Sequence, residues 1–270
     1  MVAKVAAAPI VEIIGAAASY RRIGKPQIQG LDFVANDEIT ALIGRNGAGK
    51  STLMKTILGT VRLRTGEIQV LGFNPFLRRE RQLLMSDVGY LPQQFGYVPS
   101  FTVLEFVAYA AWLKGLPSAT ARTCAELALE RVGITELRSK KMGQLSGGMR
   151  RRAGIAQAIV HSPKLLILDE PTTGLDPEQR VKFRKLISDL AETSAVILSS
   201  HLVEDVRFLA QKITILEAGQ NCFTGTPAEL EAQAQTDLLD ATLRNAEITP
   251  LEKGYLKVIS KDRGETNVIP

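Results

Sequence analysis

The chain has 270 residues, 45% of them hydrophobic, with 33 basic and 28 acidic side chains, a formal charge of +5 and a pI near 9.2. Length and apolar content supply a sizeable core and exclude a disordered chain, while so modest a charge does not define a nucleic-acid surface, although it suits work beside an anionic membrane. Cys124 and Cys222 give no disulfide framework and no metal spacing, so a reducing cytoplasm is the default compartment.

The first twenty residues, MVAKVAAAPIVEIIGAAASY, superficially mimic a secretory signal through Lys4, an alanine-rich run and Ala16 to Ala18. Pro9 and Glu12 interrupt that segment, and Ile10 to Ile14 reads better as a first strand. No stretch approaches the roughly 18 uncharged apolar residues that a membrane helix needs.

Glu38 to Ile43 is a short apolar run of strand type, and Lys50 to Leu58 carries apolar residues at helical spacing. Between them lies Gly44-Arg45-Asn46-Gly47-Ala48-Gly49-Lys50-Ser51. Glycines permit a tight loop whose N–H groups surround phosphates, the lysine reaches the β- and γ-phosphates, and the hydroxyl binds magnesium. An ordinary glycine-rich turn would account for the glycines but not for Lys50 followed by Ser51. Short β-type runs, including Glu67 to Leu71, dominate before about Leu91, apart from the helix after this loop.

From Thr102 to about Val160 the pattern turns helical, with Val103, Leu104, Val107, Ala108 and Ala111 on one face and a second helix at Ala125 to Val132. Leu145-Ser146-Gly147-Gly148 suits a helix N-terminus whose exposed N–H groups take an anion, the helix running on from Arg150 to Val160. Arg150, Arg151 and Arg152, like Arg78, Arg79 and Arg81, point in different directions on a helix and make no continuous basic stripe.

After Pro163 strands resume at Lys164 to Leu168, Ala195 to Leu198 and Ile213 to Leu216, alternating with helices at Pro177 to Ala191 and Leu202 to Ala210, which implies a parallel sheet. The first of these strands ends in Asp169 and Glu170, as a buried strand delivers acids to the carboxyl edge of a sheet. Asp169 is placed to hold magnesium and Glu170 to polarise an attacking water. Asp176 before Pro177 is an N-cap with proline at the first helical position. His201 opens a helix after an apolar strand; the other histidine, His161, sits at a helix end and reads as structural. Gly225-Thr226-Pro227 opens a short helix, and the tail from about Gln235 is polar and weakly patterned.

With Tyr90-Leu91-Pro92-Gln93, the signature Leu145 to Met149, Thr173-Gly174-Leu175-Asp176 and Ser199-Ser200-His201 in the same order, residues 8 to 230 resemble the ATP-binding cassette family, the ATPase subunits of ABC transporters. The resemblance implies an α/β fold: a P-loop NTPase sheet core of the ABC ATPase type at 1–92 and 157–235, with an N-terminal antiparallel β portion. It also implies an inserted α-helical subdomain at 93–156, leaving 236–270 as a tail of unassigned structure.

By that resemblance ATP and Mg2+ are the cofactors, and Tyr20 stacks on adenine. Gly44, Asn46, Gly47, Ala48, Gly49, Lys50, Ser51 and Thr52 hold phosphates and magnesium. Gln93 senses the γ-phosphate beside magnesium or water; Gln94 is the alternative by a one-residue shift, disfavoured by the Tyr-Leu-Pro lead-in. Ser146, Gly147 and Gly148 take the γ-phosphate of an ATP held by a second subunit, Asp176 communicates across that dimer, and His201 steadies the γ-phosphate and the water. Met149 stands where glutamine is commonest, which removes a hydrogen-bond donor.

The resemblance further implies a head-to-tail homodimer, a permease that is a separate membrane protein, and a peripheral place at the cytoplasmic face of the cell membrane. The run from Gln93 through Leu116 resembles exporter ATPases more than importer ones. The alternative is a soluble ABC ATPase acting on ribosomes or DNA; a single cassette without sustained heptads between Lys50 and Ser146 argues against it, and no nucleic acid is expected as a partner.

Overall fold

A computed structural model describes residues 8–21, 24–234 and 248–262. The readings placed on Lys4 and on the tail at 235–247 lie outside the described residues. Apolar runs without alternation become the centre of a six-stranded sheet: β3 (Ile39–Ile43), β5 (Val88–Leu91), β6 (Leu165–Leu168), β7 (Ala195–Ser200), β8 (Lys212–Glu217) and β9 (Gln220–Gly225) in the order β5-β6-β7-β3-β8-β9. All neighbours are parallel except β8 and β9. A strand buried on both faces must be apolar at every position. Leu165 and Ile167 of β6 accordingly face one core, and Leu166 and Leu168 the other.

One of these cores is capped by a second, antiparallel sheet in the order β2-β1-β4, formed by β1 (Val11–Ala18), β2 (Ile28–Ala35) and β4 (Leu63–Val70). The alanines that mimic a signal segment are strand residues here: Ala16 pairs with Leu31 and Ala18 with Ile28. The β1 to β2 register shifts between Ile13 and Ala18, and Gly15 and Gly30 take φ of 58° and 56° there, so simple alternation is lost. That is why β2 is not evident from pattern alone.

α1 (Lys50–Ile57) follows the glycine loop as expected. α2 (Arg78–Ser86) corrects the expectation that β-type runs fill the chain before Leu91. Its apolar residues fall in one short run, Leu83 to Met85, of which only Leu84 is buried, so the segment is easily taken for a strand end. The insert between β5 and β6 holds α3 (Val103–Leu113), α4 (Ser118–Arg131) and α5 (Gly147–Ile159). α3 is started by a reciprocal cap: Glu105 N–H donates to Thr102 Oγ1 (3.2 Å) and Thr102 N–H to Glu105 Oε2 (2.7 Å). α6 (Pro177–Ala191) and α7 (Val203–Arg207) link β6 to β7 and β7 to β8.

α8 (Pro227–Gln233) begins at Thr226 with the same reciprocal cap and Pro227 in its first turn. The weakly patterned tail contains a further helix, α9 (Pro250–Asp262), which buries Leu251, Val258 and Ile259. A Cβ on Gly254 would meet the Leu230 carbonyl of α8 at 2.0 Å, so only glycine lets the two helices approach this closely.

His161 is structural, as its sequence position suggests. Nε2–H donates to the Val88 carbonyl (3.1 Å), so the buried Nδ1 is the unprotonated nitrogen. Burial, reinforced by the Lys114 ammonium and opposed by that bond and by Asp87, pushes its pKa from 6.5 down to about 4. Between those values the unfolded chain binds a proton that the folded chain refuses, so this contribution is complete above about pH 6.5 and is lost as pH falls toward 4. Its size is on the order of 3 kcal/mol. His161→Gln should therefore flatten the fall in urea midpoint between those two pH values; an unchanged slope would assign the acid sensitivity elsewhere.

Candidate active site

The parallel registers bring four chain segments to one sheet edge. Leu91 pairs with Leu168, Leu168 with Leu198, and Ile43 with Ser200. The residues that follow these strands, Gly44, Pro92 and Gln93, Asp169 and Glu170, and His201, therefore leave the sheet together, where α/β proteins bind ligands.

At the end of β3 a Cβ on Gly44 would lie 2.3 Å from the Leu216 carbonyl of β8, which excludes any other residue. Gly47 and Gly49 have φ of 86° and 109°. Gly219 N–H donates to the Ala48 carbonyl (3.0 Å) and Ala48 N–H to the Arg45 carbonyl (3.1 Å), bracing the loop against the β8–β9 turn. α1 starts at Lys50 with no side-chain cap, so its first N–H groups are free to meet an anion. Thr52 is buried on this helix.

Lys50 is buried, and its Nζ donates to the carbonyls of Gly44 (2.6 Å) and Arg45 (3.3 Å) while lying 3.7 Å from Glu170 Oε1. Burial lowers the pKa of its ammonium, and the Glu170 and Asp169 carboxylates oppose that shift. Asp169 Oδ1 accepts from Ser199 Oγ (2.6 Å) and from Ser51 Oγ (3.4 Å). A hydroxyl and a carboxylate so close together make a pair of hard oxygen donors beside the loop.

Glu170 has φ of 49°, a conformation that costs a residue with a side chain on the order of 1–3 kcal/mol. Its N–H donates to Ser199 Oγ (2.8 Å). Its carbonyl accepts from Arg151 (2.8 Å) and its carboxylate Oε2 accepts from Thr173 Oγ1 (3.0 Å). The same Oε2 is 2.6 Å from His201 Nδ1. One acid side chain is thus fixed between a lysine, a hydroxyl and an imidazole. The turn carrying His201 is set by Ser200, whose Oγ accepts from Leu202 N–H (3.0 Å) and donates to the Leu202 carbonyl (3.2 Å).

Other expected residues stand apart from this cluster. The Gln93 side chain is exposed, although its carbonyl is held by Arg151 (2.9 Å). The Tyr20 ring is 55% exposed, with Lys55 Nζ 5.3 Å above its centroid. Ser146 caps α5, its Oγ accepting from Met149 N–H (3.3 Å), and a Cβ on Gly148 would strike Gln179 of α6 at 2.4 Å. Asp176 caps α6 through Gln179 N–H (2.8 Å). Among the described residues no hydrogen bond or ion pair joins Ser146, Gly147, Gly148 or Asp176 to Lys50, Ser51 or Glu170.

Sequence patterning assigns no role to two of the best-connected residues. Ser199 ties the two acids together through its hydroxyl; a serine pair ending an apolar strand beside a histidine is the available signal. Arg151 reads only as one of three arginines that make no continuous stripe, yet it is buried. The neighbouring arginines do diverge from it: Arg150 stacks on Tyr97 at 4.9 Å, and Arg152 reaches the Val132 carbonyl (2.7 Å).

A glycine loop opening a helix, two acids on the adjacent sheet edge and a helical insert define a phosphate-loop ATPase with a signature helix. Residues 30–173 match the family described as ABC transporter. The chain is 35% identical over 230 residues to the uncharacterized ABC transporter ATP-binding protein YxlF of Bacillus subtilis (strain 168), covering 84% of this chain and 74% of that one. It is 37% identical over 216 residues to the Nod factor export ATP-binding protein I of Burkholderia pseudomallei (strain 1710b), covering 79% and 70%. A solved structure described as the ATP binding subunit of an ABC transporter superposes with a TM-score of 0.76 at 25% identity, over 93% of this chain and 99% of the other. The chain belongs to the ABC transporter family, as an ATP-binding subunit, and it is an ATPase.

Proposed function

We propose that this subunit powers export through a separate integral membrane permease and works as a head-to-tail homodimer at the cytoplasmic face of the membrane. The observation that carries the catalytic part is the Glu170 carboxylate, fixed between Lys50, Thr173 and His201 beside the phosphate loop. Glu170 takes a proton from the attacking water, His201 steadies that water and the γ-phosphate, and Lys50 carries the phosphate charge. Tyr20 stacks on adenine, Gly44 to Gly49 and Thr52 line the phosphates, and Gln93 closes onto the γ-phosphate.

Ser51 and Asp169 would hold the Mg2+ that accompanies ATP, which would neutralise developing charge when bound, and the exposed Gln93 side chain would join them by closing inward. Ser146, Gly147 and Gly148 serve the ATP of the other subunit, with Asp176 at the same junction. Their separation from the phosphate loop within one chain supports that division of labour. No described helix is long and apolar enough to cross a membrane, which fits a pore supplied by another chain. The export direction rests on the Nod factor export relative.

The connector from Gln94 to Phe101 is our candidate for coupling to the permease, with residues 93–156 acting as one helical subdomain. Phe95 stacks on Phe106 of α3 (5.9 Å), and the Pro99 and Phe101 carbonyls accept from Gly143 (3.0 Å) and Met142 (2.8 Å), so the connector moves with the insert. Val98 is 46% exposed on it. Val98→Asp should lower transport into inverted vesicles on the order of 10-fold, because a charge placed in a partner interface is left unpaired, while ATPase activity of the isolated subunit stays within roughly 2-fold. Unchanged transport with collapsed hydrolysis would move this segment to the chemistry and sink the coupling role.

A further inference from the structure

Arg151 donates every one of its N–H groups to a backbone carbonyl. Nε reaches Pro171 (3.2 Å), one terminal nitrogen reaches Pro92 and Gln93 (both 2.9 Å), and the other reaches Asp169 (2.6 Å) and Glu170 (2.8 Å). A guanidinium has five N–H donors in a planar fork, so the full set is used. The acceptors belong to two segments that leave adjacent parallel strands, β5 and β6, at the same edge. Arg151 itself comes from α5, one helical turn beyond Gly147.

None of these partners is a side chain, so the fork makes no direct ion pair. Its charge is balanced across space by the Asp169 and Glu170 carboxylates, while burial pushes its pKa down to about 10. An arginine so desolvated is worth keeping only where its geometry matters. The geometry here includes the strained turn at Glu170, whose φ of 49° persists only if neighbours over-determine it. Ser199 holds the N–H of that turn and Arg151 its carbonyl.

We propose that Arg151 is a positioning residue for ATP hydrolysis, locking the Gln93 connector, the Asp169–Pro171 turn and the signature helix into one unit so that Glu170 is aimed at the attacking water. The proposal rests on the reading of Glu170 as the base. It implies that any shift of α5 on dimer formation is passed directly to the hydrolytic carboxylate and to Gln93, without passing through the nucleotide.

The test compares Arg151→Met, which keeps length and apolar volume but no donors, with Arg151→Lys, which keeps charge and three donors but not the fork. Equilibrium ATP affinity should stay within about 3-fold in both, because the phosphate loop is untouched. Turnover should fall on the order of 10- to 100-fold in Arg151→Met, the scale of a small misplacement of reacting groups, and less in Arg151→Lys. Normal turnover in a folded Arg151→Lys and Arg151→Met, or a loss of turnover matched by an equal loss of ATP affinity, overturns the proposal. If Arg151→Met fails to fold, Arg151→Lys decides: turnover unchanged at unchanged thermal midpoint overturns it. A Glu170→Gln protein that still hydrolyses ATP would instead defeat the underlying reading of the base, so the two failures are distinguishable.

Discussion

Glu170→Gln is expected to bind ATP normally and to hydrolyse it more slowly by on the order of a hundredfold or more. The amide occupies the same volume, and its contacts can persist: the 3.0 Å bond from Thr173 needs only an acceptor, and the 2.6 Å contact with His201 tolerates one. What disappears is the proton acceptor. In the proposed head-to-tail dimer, hydrolysis would release the two subunits, so ATP and magnesium should hold the mutant as a dimer in light scattering. Ser146→Arg should prevent that dimer, because the α5 N-terminus would lose its cap and receive a bulky cation where an anion is expected. Normal hydrolysis by Glu170→Gln, or a Ser146→Arg protein with intact dimerisation and turnover, would refute the composite site.

The elements legible in the sequence are those whose local pattern and tertiary role agree. Leu165 to Leu168 is apolar at every position because both faces of β6 are buried, and the acids after it can only emerge at the sheet edge. The loop at Gly44 to Ser51 is legible because its conformation demands glycine and its ligand demands a cation and a hydroxyl. α2 escapes because its apolar residues are one contiguous run, Leu83 to Met85, which does not by itself tell a helix from a strand. β2 escapes because bulges break its alternation, and α9 because its apolar residues are sparse in a polar tail and find their partners in α7, α8 and β9.

The site shows the same division. Lys50, Ser51, Asp169, Glu170 and His201 are adjacent to punctuation that fixes their place, and they converge in the structure. Arg151 lies in a run of three arginines whose individual directions depend on the helix's neighbours, so sequence alone gives it no role. Its five carbonyl partners come from residues 18 to 59 positions away.

Lys50→Ala is expected to weaken ATP binding on the order of 100-fold, the cost of stripping a buried charged group from a desolvated partner. Nζ already sits in the loop, donating to the Gly44 and Arg45 carbonyls at 2.6 and 3.3 Å, so the cation is oriented before any phosphate arrives. Lys50 is buried, which lowers its pKa and leaves little solvent to compensate the charge; a phosphate would. Removing it also leaves the Glu170 carboxylate, 8% exposed, without its cation at 3.7 Å, which should lower the thermal midpoint of the nucleotide-free protein as well. The decisive measurement is therefore the nucleotide-dependent part of stability. Saturating ATP raises the midpoint of the native protein by mass action, and that increment should largely vanish in Lys50→Ala whatever its starting midpoint. An increment equal to that of the native protein, with equal affinity by titration calorimetry, would mean that the phosphates are held by the loop N–H groups alone and that Lys50 serves only to brace Glu170.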